Sequence, residues 1–115
     1  MSACFVWTEL SENFVCDHYN EARATDIAAG QAAMSDEIRA VIDGLKVGED
    51  LTLQLGRIEH ANAQESLDLA RGQADAFLSS ALTYEDIRKI DDWKLLNRHI
   101  DKRANARRVE IEALG

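Results

Sequence analysis

Residues 63–82 read AQESLDLARGQADAFLSSAL, and their spacing decides the fold. Ala63, Leu67, Ala70, Ala74, Phe77, Leu78, Ala81 and Leu82 recur at intervals of three and four, the signature of one helical face. Glu65, Asp68, Arg71 and Asp75 fall on the opposite face, as water requires. Proline is absent from all 115 residues, where average usage gives about six. Proline breaks helix interiors and favours turns and edge strands. Its complete absence extends the helical reading from this block to most of the chain.

Downstream, Thr83-Tyr84-Glu85-Asp86 reads as a box-like helix start, with Asp86 where Glu or Gln is usual. Leu82 and Ile87 supply the matching staple. Ile87, Ile90, Trp93, Leu96, Ile100, Ala104, Ile111 and Leu114 then keep one stripe to the end, predicting a single long helix. Leu95 and Val109 lie off that stripe, so this helix carries a second apolar side that a neighbouring subunit can share. Ile87, Trp93, Leu96 and Ile100 are the candidates for core or dimer packing.

Upstream, a first block runs from about Ser11 to Asp43. Ser11 suits an N-cap, with Leu10 and Val15 as its staple, although Trp7, Leu10 and Phe14 allow a start at Thr8. Met34, Ile38, Val41, Ile42 and Leu45 form a second stripe, closed by Gly44. The small-residue patch Ala28-Ala29-Gly30-Gln31-Ala32-Ala33 is either a close helix crossing or a break, and a break or kink near Gly30 is the expectation. Residues 45–58 are ambiguous. Leu51, Leu53 and Leu55 alternate as in a strand, whereas Leu51, Leu55 and Ile58 fit a helix that Asp50 can cap. The helical surroundings favour helix.

The expected architecture is therefore all-α: one domain over residues 1–115, a bundle of three to five helices ending in a long C-terminal helix. Aromatics make up only 6% of the chain and much of its 46% hydrophobic content is alanine, so the core is thin. A thin core is commonly completed by another chain, which points to a homodimer.

Charge narrows the partners. Residues 1–83 hold 5 Lys+Arg against 14 Asp+Glu, a net −9, and residues 84–115 hold 8 against 7, a net +1. An acidic body disfavours nucleic acid in general. Ala3-Cys4-Phe5-Val6-Trp7 is too short for a signal-peptide core and has no basic residues before it, and no apolar run approaches a membrane span. The expected setting is cytoplasmic, away from membranes, with Cys4 and Cys16 reduced.

No pattern spells out catalysis. Cys16 and His18 point to different sides of a helix, and His18 with Glu21 has no second pair to complete a metal site. His60 and His99 each stand alone among charges. Asp91-Asp92 and Glu49-Asp50 are adjacent, so on a helix they diverge instead of sharing a proton. Phosphate loops and nucleophile elbows are missing. The expectation is a protein that is not an enzyme and needs no cofactor or metal. A DNA-binding alternative divides residues 83–108 into two short helices turning near Asp91-Asp92, with Arg98, Lys102 and Asn105 meeting the duplex. The continuous stripe weighs against it.

Protein binding is the better fit. Phe5, Val6 and Trp7 have few local partners, and Phe5, Trp7, Leu10 and Phe14 are the candidates for a partner-facing patch. The short acidic helical chain, with stretches such as Cys16-Asp17-His18-Tyr19 and Trp93-Lys94-Leu95-Leu96, resembles the quorum-sensing antiactivators that bind LuxR-type receptors. That resemblance implies stoichiometric inhibition. A dimer of the chain would occupy the ligand-binding domain of a transcriptional regulator and prevent the receptor dimer that DNA binding requires. A phage-encoded inhibitor of a host protein is a further alternative.

Overall fold

A computed structural model describes the backbone of residues 9–114 and the side chains of residues 21–114. Five helices follow in order: α1 (Glu9–Ala32), α2 (Asp36–Asp43), α3 (Gly48–His60), α4 (Gln64–Thr83) and α5 (Ile90–Leu114). Among the described residues there is no strand, and no helix is long and apolar enough to cross a membrane.

Helix α3 is the hub. It packs against α1, α2, α4 and α5, so its circumference is enclosed nearly everywhere. Leu51, Leu53, Leu55 and Ile58 are all buried, together with Thr52 and Gln54. Residues 51–56 are buried all round the helix, so that stretch keeps no polar stripe, and the exposed Glu49, Asp50, Arg57 and His60 lie towards its ends. That explains why residues 45–58, although helical, imitate the alternation of a strand. Thr52 satisfies its hydroxyl by donating to the Gly48 carbonyl at 2.7 Å. Asp50 does not cap α3. The cap position is Val47, which has no side-chain bond to give.

The first block does break, but not at Gly30. Helix α1 continues through Ala32, and the chain turns at residues 33–35. Ser35 then caps α2 by accepting from the Ile38 amide at 3.3 Å, and Asp36 and Glu37 suit the positive end of that helix. Gly30 instead marks a close crossing. A Cβ there would collide with the Thr52 carbonyl and crowd the Gly56 amide, and a Cβ on Gly56 would collide with the Asp26 carbonyl. Two glycines let the α1 and α3 backbones touch. At the other end, α1 is already helical at Glu9, so Ser11 lies inside the helix, and a start at Thr8 lies outside the described residues.

Helix α4 buries Leu67, Ala70, Ala74, Leu78 and Ala81, and its alanines admit α5, which returns Leu96, Ile100 and Ala104 to the same core. Ala63 lies exposed before α4 and Leu82 is partly exposed at its end, so the buried face is narrower than the apolar pattern. Arginines on α5 fasten it to the end of α3. Arg103 donates to both oxygens of Glu59, at 2.6 and 2.7 Å, and Arg107 donates to the Ala61 carbonyl at 2.6 Å. The Glu59 hydrogen bonds hold the Arg103 pKa above its ordinary value.

The predicted helix start at residues 83–86 is the main correction. Helix α4 runs on through Thr83, residues 84–89 form a connector, and α5 begins at Ile90. No box forms at Thr83. The Leu82–Ile87 staple fails as well, because Leu82 faces outward while Ile87 drops into the core.

Candidate functional site

The α4–α5 connector is the most constrained stretch outside the helices. Its chain leaves α4 through Tyr84, whose amide donates to the Ser80 carbonyl, and reverses at Glu85, a non-glycine residue at φ 60°. That left-handed conformation costs about 1 kcal/mol or more for a residue with a Cβ. Three anchors hold it. The Ile87 amide donates to the Ala81 carbonyl at 3.0 Å, and the Ile87 side chain is buried. The Asp86 carboxylate crosses to the α2–α3 loop, where it accepts from the Lys46 amide at 2.8 and 3.1 Å and from the Val47 amide at 3.4 Å. Asp86 thus fixes, from forty residues away, the loop that leads into α3.

So anchored, this corner presents apolar side chains to water. Tyr84 is 80% exposed, Ile90 51% and Leu82 38%. Isolated exposed hydrophobics are ordinary. Three of them, one aromatic, fall within nine residues around this connector. Beside them a groove of about 370 Å³ runs between α2 and the connector. Val41, Leu45 and Ile87 give it an apolar lining, and its charges are mixed, with Arg88 and Lys89 beside the carboxylates of Asp86 and Asp92. Among the described residues, no carboxylate pairs with either cation.

The residues singled out from sequence fall in three places. Phe5 and Trp7, with Cys4, lie outside the described residues. Leu10 and Phe14 lie in the first turns of α1, and their side chains, like that of Cys16, are outside the described set. Ile87, Leu96 and Ile100 are buried in the core, and Trp93 packs at its edge with its indole N–H buried and without a hydrogen-bond partner. The two-helix reading of residues 83–108 does not hold, since α5 is continuous from Ile90. Of its cations, Arg103 and Arg107 are engaged with Glu59, Ala61 and Glu110, while Arg98 and Lys102 stay exposed.

Tyr84, Leu82 and Ile90 were legible only as capping and stripe residues. The acidic residue three after Thr83 does accept from backbone amides, but from those of Lys46 and Val47 in the α2–α3 loop instead of its own helix. Among the described residues, no group of three metal-ligating side chains gathers. Compared with known proteins, the chain matches no family model, no curated protein and no solved structure.

Proposed function

We propose that the chain is a non-enzymatic binding module that acts on another protein through the α4–α5 corner. The observation that supports this reading is the conjunction at residues 82–90 of backbone strain, a long-range tie from Asp86 to the α2–α3 loop and exposed apolar side chains. Holding Tyr84 in place before binding lowers the ordering cost that association otherwise carries. A partner suited to the corner offers a pocket for an aromatic ring and apolar surface opposite Leu82 and Ile90. The mechanism is mass action: the module covers a surface that its target needs for its own assembly. A transcriptional regulator of the LuxR type, inhibited by a homodimer of this chain, is the target class that the sequence resemblance favours. The patch of Phe5, Trp7, Leu10 and Phe14 then supplies a second contact.

Residue-specific photo-crosslinking from position 84 in the source cell tests the reading. A single partner protein crosslinked from position 84, and not from exposed Arg108 on α5, is the expected result.

A further inference from the structure

A second site lies away from the corner. Helices α1 and α4 both pack on α3, and between them, over α3, opens a cleft of about 340 Å³. That is the lower end of the range for small-molecule pockets.

Its charges cancel. Asp26 on α1 accepts from His60 Nδ1 at 2.8 Å and faces Arg57 Nε at 3.9 Å, so one carboxylate answers the guanidinium and orients the imidazole. With Nδ1 engaged, His60 keeps Nε2 for another partner. The remaining polar lining is neutral, with the carboxamides of Gln54, Asn62 and Gln73, and Leu69 supplies an apolar contact. A charge-balanced cleft of this kind selects against phosphates and bare cations.

Gln54 is the informative residue. Its side chain lies on α3 and is 4% exposed, and its Oε1 has no hydrogen-bond partner. An orphaned buried carboxamide is costly in a core that leucine or methionine would fill without loss. The last torsion of a glutamine is broad and roughly two-fold, so a half-turn offers either end of the amide to the cleft. A carboxamide pairs best with an edge that carries a donor and an acceptor side by side, as adenine does. Arg57 and His60 are planar groups of the kind on which bases stack.

We propose that this cleft binds an uncharged planar heterocycle with an amide-type edge, the chemistry of a nucleobase, as the free base or nucleoside. Gln54 and Gln73 read the edge, and Arg57 and His60 flank the ring.

Titration calorimetry of the full chain with adenosine, guanosine, cytidine and uridine, and with ribose as a control, tests the assignment. One nucleoside binding at one per chain, with ribose silent, is expected. Gln54→Met then weakens that binding at least tenfold while raising the melting temperature of the unliganded protein. A Gln54 kept for packing alone would give no loss of binding. Gln73→Ala, on the exposed face of α4, weakens binding without touching the core. Failure of all four nucleosides to saturate at millimolar concentration overturns the proposal. So does saturable ribose binding, or nucleoside binding that neither variant changes.

Discussion

Asp86 pins the loop that leads into a helix to which it does not belong: both of its carboxylate oxygens accept from the Lys46 amide, at 2.8 and 3.1 Å, one residue before the N-cap position of α3 at Val47. This contact ties the α4–α5 connector to the hub of the bundle. It links the stability of the fold to the shape of the surface proposed to bind a partner.

Removing the carboxylate should therefore act in two places. Asp86→Ala is expected to cost about 1–2 kcal/mol of stability, the range for losing hydrogen bonds to a charged acceptor at a partly exposed site. It also frees the strained Glu85 turn. Urea denaturation measures the first effect, and faster amide exchange at residues 84–88 reports the second. Asp86→Asn, which keeps one acceptor oxygen, should lose less on both counts.

Two glycines make opposite forecasts. Gly56→Ala puts a methyl group into the Asp26 carbonyl, so α1 must move off α3 and destabilisation of about 3 kcal/mol or more is expected. Gly72→Ala, in α4, meets no atom within 4 Å and should stabilise by about 0.5–1 kcal/mol through helix propensity. Thermal melts of the two variants beside the parent give both signs in one experiment.

His99 sets a pH dependence. Burial, with Arg103 and Lys102 nearby, holds its pKa below the ordinary 6.5, against the opposing pull of Glu59, and its Nε2 is buried without a partner. Below pH 6.5 the unfolded chain takes up the proton first, so this contribution to stability is present above that value and declines on acidification. His99→Gln should flatten the stability profile between pH 5 and about 7. Denaturation midpoints across that window, for parent and variant, check the slope.

The sequence made the helices legible where one face is buried and the other wet, as in α4, because amphipathic spacing carries that information directly. It was least legible where tertiary contact changes the meaning of a residue. Leu53 looked like part of a strand because the middle turns of α3, residues 51–56, are buried all round. Gly30 looked like a break because a glycine that admits a neighbouring backbone and one that ends a helix are the same letter. Asp86 had the spacing of a local cap, and only the fold shows that its amides belong to Lys46 and Val47. Tyr84 off the stripe was the available clue to the corner, obscured by the apparent cap around it. The N-terminal candidates Phe5, Trp7, Leu10 and Phe14 rest on sequence alone.

Photo-crosslinking from position 84 in the source cell decides whether the exposed corner at Tyr84 binds another protein. One dominant heterologous partner is expected, lost when Ile90→Ala is added and absent when the crosslinker is moved to position 108. Crosslinks only between two copies of this chain, or none above the position-108 control, would contradict it.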